Sequence, residues 1–302
     1  MLRTKIYMVD EPLLYDAIKS DISEATLIEI QYSDEKGNLL QQDHVEEGEV
    51  ISSEVLKYSD DNKLLSIEFF TSPGKELFRK SVLEYTENGD LKKTSICFHG
   101  QLTSEETNFY NLDNKLVKTI LKRDEHPPLE TRYDLHRTFP GCCVREEIFE
   151  DGRIKEIITR EWELVDRKPF CVQQSVEKPG APEPSRTMRF YDGRKTENGV
   201  SWELYNELGD FLEEVRNEYD AKERITRITY HTDDHAASSP YHEELFEYDE
   251  KDHQIFHKIT THGKIQHVEK SFYHKDRLVK KLEQGISTAR AFFFVHDTAP
   301  GN

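Results

Sequence analysis

The chain has 302 residues, 35 % of them hydrophobic, and carries 41 Lys and Arg against 59 Asp and Glu, a net charge of −18. That length allows about two ordinary domains or one elongated one, and the low apolar content promises a thin core. Leu, Ile, Val and Phe still supply about a quarter of the residues, which excludes wholesale disorder, and the acidity excludes generic binding to nucleic acid or an anionic lipid surface.

The first residues, MLRTKIYMVDEPLLYDAIK, are interrupted by Asp10, Glu11 and Asp16 and hold no apolar stretch of signal-peptide length. A cytoplasmic location is the expectation. Glu11–Ser20 offers one apolar helical face through Leu14, Ala17 and Ile18, with Pro12 suited to a first turn, so a short N-terminal helix is expected there. A first strand follows it within residues 1–31.

From Tyr32 onward one phrase recurs: an aromatic, four or so turn-forming residues, then an aliphatic. It reads Tyr32-Ser-Asp-Glu-Lys-Gly-Asn-Leu39, Tyr58-Ser-Asp-Asp-Asn-Lys-Leu64, Tyr85-Thr-Glu-Asn-Gly-Asp-Leu91 and Tyr110-Asn-Leu-Asp-Asn-Lys-Leu116. Later copies are Tyr205-Asn-Glu-Leu-Gly-Asp-Phe211, Tyr219-Asp-Ala-Lys-Glu-Arg-Ile225, Tyr248-Asp-Glu-Lys-Asp-His-Gln-Ile255 and Tyr273-His-Lys-Asp-Arg-Leu278. Asp, Asn and Gly tolerate the left-handed conformations a short hairpin loop requires, and the flanking aromatic and aliphatic residues can face each other across the hairpin mouth. A second, shorter turn sits between these, as at His99-Gly100 and His262-Gly263. Each unit of about 25 residues is then two strands and two turns, a period typical of repeat architectures. Glu84-Tyr85, His99-Gly100 and Phe109-Tyr110 recur as Glu247-Tyr248, His262-Gly263 and Phe272-Tyr273 at a constant offset, so two related halves are expected.

The fold class that follows is mostly β: an antiparallel hairpin-repeat meander with a short N-terminal helix. Its first array covers 32–160, an irregular Pro-rich connection 161–190, and the second array 191–302. The Pro-rich segment 178–185 and the segment 231–240 are the long loops. Strands such as 91–98 and 102–110 carry many charges, which suits an antiparallel sheet with a wet face rather than a buried parallel one.

Tyr191-Asp-Gly-Arg, Phe149-Glu-Asp-Gly-Arg-Ile154 and Tyr219-Asp-Ala-Lys-Glu-Arg-Ile225 resemble the YD (Rhs-type) repeat, whose unit is an aromatic–acid pair, a glycine turn, then Arg and an aliphatic. Several copies here lack the acid after Tyr, or the Gly, or the Arg. The resemblance implies curved β-sheet built of hairpins. It carries no catalytic residue, and this chain is too short for the closed shell that large members build.

Four cysteines, Cys97, Cys142, Cys143 and Cys171, show no C-x-x-C spacing and read as reduced. Eight of the 13 histidines lie between His231 and His274. His253 and His257 would share a helix face, but on a strand they stand about 13 Å apart, too far for one ion. The Asp-rich turns lack the calcium-loop ladder and read as turn formers. Trp162 and Trp202 read as core or interface anchors. No nucleophile elbow, phosphate loop or dinucleotide fingerprint is present, and no carboxylate pair stands out. Neither metal nor cofactor is expected.

Charge gives the functional direction. Residues 203–223 hold eight acids against Arg216 and Lys222, and Asp43–Glu49 adds a second acidic run. The expectation is a non-enzymatic cytosolic binding module, of the type of a bacterial immunity protein, that neutralises a basic toxin domain through acidic turn tips and strands. Asp60, Asp61, Glu207, Asp210, Glu213, Glu214, Asp233 and Asp234 are the candidate partner-binding residues. The alternative is a carbohydrate-active or metal-dependent enzyme on a β-scaffold, which demands a deep pocket with paired carboxylates or converging histidines.

Overall fold

A computed structural model of the chain describes residues 2–11, 25–71, 76–181, 183–196, 199–232, 240–286 and 288–297. These residues form one 22-stranded antiparallel sheet. The strands run β1 (Leu2–Glu11), β2 (Thr26–Ser33), β3 (Leu39–Glu46), β4 (Glu49–Tyr58), β5 (Leu64–Thr71), β6 (Glu76–Tyr85), β7 (Leu91–Phe98) and β8 (Gln101–Tyr110). They continue as β9 (Leu116–Arg123), β10 (His126–Leu135), β11 (Cys143–Glu150), β12 (Arg153–Val165), β13 (Lys168–Glu177), β14 (Arg186–Phe190) and β15 (Val200–Asn206). The last are β16 (Phe211–Tyr219), β17 (Ile225–Thr232), β18 (His242–Tyr248), β19 (Gln254–Thr261), β20 (Lys264–His274), β21 (Arg277–Gln284) and β22 (Ala289–Asp297).

The antiparallel meander expected from the sequence is present. The short helix is not matched: no helix occurs among the described residues, Glu11 ends strand β1, and residues 12–20 of the expected helix lie outside the described ones. Residues 3–8 are paired on both sides, with β2 and with β22, and residues 9–11 with β22 alone. The stretch expected to be irregular also contains strands β13 and β14, with the Pro-rich 178–185 segment as the connection between them.

Two kinds of turn build the hairpins. In the longer kind the first loop residue receives the fourth residue's N–H: Asn62 donates to Ser59 O, Gly89 to Thr86 O and Asn114 to Asn111 O. Its side chain accepts further backbone donors, as Asn111 Oδ1 does from Asp113 and Lys115, and Asp249 Oδ1 from Lys251 and His253. Among the described residues the fourth residue is left-handed in seven such turns: Gly37, Asn62, Gly89, Asn114, Gly209, Glu223 and Asp252, with φ between 59° and 90°. That requirement is why Gly, Asn and Asp recur there. The shorter kind places two consecutive residues at positive φ, as at Glu47-Gly48, His99-Gly100, Asp151-Gly152 and His262-Gly263. This is the two-residue hairpin turn that matches strand twist.

The aromatic before a longer turn faces an aliphatic in three cases, Tyr58 opposite Leu64, Tyr110 opposite Leu116 and Tyr219 opposite Ile225, and Tyr273 does the same, opposite Leu278, before a two-residue turn, each beside a bulge; Tyr32, Tyr205 and Tyr248 stand instead opposite Gln41, Phe211 and Gln254. The phenol has a second role. Tyr58 Oη–H donates to Leu39 O at 3.1 Å and Tyr110 to Leu91 O at 2.7 Å, each reaching back one strand. The Trp162 indole N–H reaches Cys143 O in the same way at 2.9 Å.

The chain divides into two compact units. The first comprises Met1–Val82, Cys97–Gln101 and His242–Asn302. Within it β1 pairs with β2 on one side and with β22 on the other, from Arg3 opposite Asp297 to Glu11 opposite Ala289. The first and last strands of the meander therefore close on each other. Its buried residues include Ile6, Ile30, Val45, Val268 and Ala291, but also Asp43, Ser66 and Glu68. Glu68 lies between Lys57 of β4 (2.9 Å) and Lys80 of β6 (2.8 Å), a cross-strand ladder in place of apolar packing.

The second unit comprises Leu83–Ile96 and Leu102–Tyr241. Val176 and Val215 are buried beside Ser175 and Thr229, and Arg160 of β12 bonds Glu146 of β11 and Gln174 of β13, both at 3.0 Å. No large side chain among the described residues of either unit is fully buried, which is the thin core that composition implied.

Candidate functional site

Asp60 and Asp61 occupy the 59–62 turn of the first unit, both exposed. Asp61 accepts from Ser59 Oγ at 2.5 Å and pairs with Lys63 at 2.9 Å, and these bonds, Ser59's first, hold its carboxyl below the usual range. Glu207 and Asp210 lie exposed in the 206–209 turn and beside it, in the second unit, where Asp210 accepts from Asn206 Nδ2 at 3.0 Å. Glu213 and Glu214 follow on β16, half-buried. Glu213 accepts from the Tyr241 hydroxyl, and Glu214 pairs with Arg216. Glu214 also stands directly opposite Glu203 of β15 and His231 of β17. Four of the eight candidates thus share one hairpin. Asp233 and Asp234 lie outside the described residues.

Glu203 accepts two phenols, from Tyr191 and Tyr205, each at 2.7 Å. Burial and then the Glu203 hydrogen bond push Tyr191 up to about 12, and the Glu203 bond with burial raises Tyr205. The Arg189 guanidinium lies 4.7 Å from the Tyr205 ring centre. Burial, followed by Arg216, lowers the His231 pKa and favours its neutral form.

Sequence reading missed a cleft in the second unit. Tyr191-Asp-Gly-Arg does not make a hairpin turn here. It opens a longer connection from β14 to β15, where Tyr191 N–H donates to Ser201 O and Lys195 N–H to Asp192 O, both at 2.8 Å. Arg194 forks onto Asp192 (Nε–Oδ1 2.9 Å, Nη2–Oδ2 3.1 Å) and reaches Glu223 with Nη1 at 2.9 Å. Lys195 pairs with Asp166 at 2.6 Å. The fork holds the Asp192 carboxyl below its ordinary range.

Two glycines let the segments approach. A Cβ on Gly199, at φ +69°, would lie 2.3 Å from Asn217 O, and one on Gly193 would lie 3.0 Å from Gly199 O. Asn217 N–H donates to Gly199 O at 2.7 Å. The resulting cleft, about 590 Å³, is lined among others by Phe170, Asp192, Arg194, Asn217, Tyr219 and Glu223. Asn217, one of the lining residues, has its Oδ1 buried with no donor among the described residues. The side-chain signal lay in the Tyr191–Arg194 phrase, but only folding brings Asp166, Asn217 and Glu223 to it.

In this cleft the carboxylates Asp192 and Glu223 share one guanidinium, that of Arg194. The histidines are paired locally. His253 bonds Asp249 at 2.8 Å and stacks on Tyr273, and His257 bonds Glu244 at 3.0 Å and stacks on Phe246. No group of three or more His, Cys, Asp or Glu among the described residues is placed to hold a metal ion. The four cysteines are free thiols.

No family model matches the chain, and no curated protein does. Among solved structures it is similar to a porin-like protein from Bacteroides uniformis, at 9 % identity over 98 % of this chain and 96 % of that one, with a TM-score of 0.32. It is also similar to a chain of the TcdB2-TccC3-Cdc42 structure (8 % identity, 98 % and 20 % covered, TM-score 0.32). A third is the Tc holotoxin pore of Photorhabdus luminescens (5 % identity, 94 % and 19 % covered, TM-score 0.24). This chain spans about a fifth of those toxin-complex chains. At such TM-scores, the assignment of a β-rich antiparallel repeat fold rests on the chain's own strands and turns.

Proposed function

We propose that this chain is a non-enzymatic, cytoplasmic binding module that presents an acidic β-surface to a basic protein, as a bacterial immunity protein does to a toxin domain, and that its hairpins are YD-type repeats in two related arrays. The observation that carries the reading is the β15–β17 stretch of the second unit. Glu207 and Asp210 stand exposed at one end of β16, and Glu218 and Glu223, at and beyond the other, have side chains 62 % and 72 % exposed and pair with Arg227 and Arg194. Exposed charge of one sign accelerates encounter with an oppositely charged partner and is screened by salt.

The experiment is affinity capture from the native cell followed by association kinetics. A basic protein should be recovered whose association rate falls steeply between low and physiological ionic strength. Glu207→Lys with Asp210→Lys should slow association by about tenfold, with a smaller change in dissociation. Capture of no basic protein, or binding indifferent to salt, would count decisively against the reading.

A further inference from the structure

We infer that the first half of β13, Lys168–Cys171, is an open sheet edge to which an extended segment of the protein partner adds as a further strand. This rests on the binding-module reading above and specifies how that partner is gripped. β13 pairs with β12 from Lys168, opposite Val165, to Glu177, opposite Ile157, but with β14 only from Gln173 to Val176. β14 is five residues long and ends at Phe190, and the next amide, that of Tyr191, donates to Ser201 O on the other side. The Tyr191–Arg194 phrase, which makes no hairpin turn here, therefore leaves the first half of β13 without a neighbouring strand on one side.

Strand geometry decides which groups are left open. Asp166 and Arg167, at φ 49° and 65°, form a two-residue turn, and such a turn closes on a hydrogen-bonded pair, here Val165 and Lys168. Backbone groups alternate in direction along a strand, so Lys168 and Phe170 face β12 while Pro169 and Cys171 face the gap. Pro169 O and the N–H and O of Cys171 have no hydrogen-bond partner among the described residues. Pro169 has no N–H to offer, and proline fits a strand where no ladder passes on its nitrogen side.

There is space for a strand beside this edge. The cleft of about 590 Å³ is lined by Lys168, Pro169 and Phe170 together with Tyr191, Asp192 and Arg194. Lys168–Cys171 spans about 10 Å at roughly 3.3 Å per residue, the length of a four-residue strand segment. Unpaired edge backbone is a template for an extended peptide, whose main-chain bonds supply the affinity. Such pairing does not depend on the sign of charge, which suits a lining where Lys168 and Arg194 stand among Asp166, Asp192 and Glu223. Continuity names the occupant: Tyr219 and Glu223, at and beyond the end of β16, line the same cleft, so the open edge adjoins the acidic stretch proposed to meet the partner.

The test is native-state amide hydrogen exchange of the intact chain, alone and with the peptide acetyl-Lys-Val-Thr-Val-Lys-amide. In the free chain the Cys171 amide should exchange at least a hundredfold faster than those of Gln174 and Ser175, which lie between two strands. Saturating peptide should slow Cys171 exchange at least tenfold. The same peptide N-methylated at two adjacent residues, which blocks both of its edges, should bind at least tenfold more weakly. A Cys171 amide already protected in the free chain would overturn the inference, and protection that grows with chain concentration would assign the edge to a second copy instead. Equal binding of the two peptides, or binding of neither, would overturn it as well. Peptide pairing at Cys171 without capture of any basic protein would leave the edge standing and remove the module reading; a captured basic protein that leaves Cys171 exchange unchanged would do the reverse.

Discussion

Tyr58 and Tyr110 show how one residue type performs two tasks. Their rings close a hairpin mouth against Leu64 and Leu116, and their hydroxyls satisfy the carbonyls of Leu39 and Leu91 one strand back. Burial raises both phenol pKa values, so both remain protonated donors through neutral pH. Tyr58→Phe should cost about 1 kcal/mol by urea denaturation, the usual net worth of such a bond. Tyr110→Phe should cost less, because Asn108 Nδ2 also donates to Leu91 O at 3.1 Å and keeps that carbonyl satisfied. The sequence shows the aromatic recurring before each turn. It does not show the hydroxyl's target, which is 19 residues upstream on a neighbouring strand.

At the level of strands, the ladder of Lys57, Glu68 and Lys80 stands where a larger core would place aliphatic side chains. Hydrogen bonds from Lys80 and Lys57 hold the Glu68 carboxyl below its ordinary 4.5. A depressed carboxyl contributes stability that is fully present above its unfolded pKa and is lost as pH falls through the folded one. The ladder should therefore stabilise the sheet at neutral pH and fade on acidification below about 4.5. Glu68→Gln should lower stability at pH 7 by about 1.5 kcal/mol and flatten the decline between pH 5 and pH 3, measured by denaturation midpoints across that range. The individual strands were legible as charged, half-wet segments, since Asp, Asn and Gly marked each turn. Which lysine meets Glu68 depends on register across three strands, and a one-residue slip would put its neighbours on the opposite face.

At the largest scale, the chain's first and last strands pair with each other within the first unit. Arg3 to Glu11 lie opposite Asp297 to Ala289, so both terminal strands are covered. A chain ending after Gln284 would uncover β1 and β21, and unpaired strands recruit other chains. Light scattering should show such a truncated chain associating at micromolar concentration, while the full chain stays at one size in the same buffer.

By itself the sequence determined the hairpins. Turn chemistry is local: a left-handed position such as Gly37, Gly89 or Gly209 calls for Gly or Asx wherever it falls, and the aromatic–aliphatic pair spans only a few residues. The expected helix at Glu11–Ser20 rested on the weakest local pattern, and on the described side β1 takes Glu11 into a strand whose partners lie near both ends of the chain. Only the tertiary structure decided the closure of β1 on β22 and the cleft that gathers Asp166, Asp192, Asn217 and Glu223. Those contacts join residues far apart in sequence, and they depend on strand register and on the close approach of Gly199 to Asn217, neither of which any stretch of sequence encodes alone.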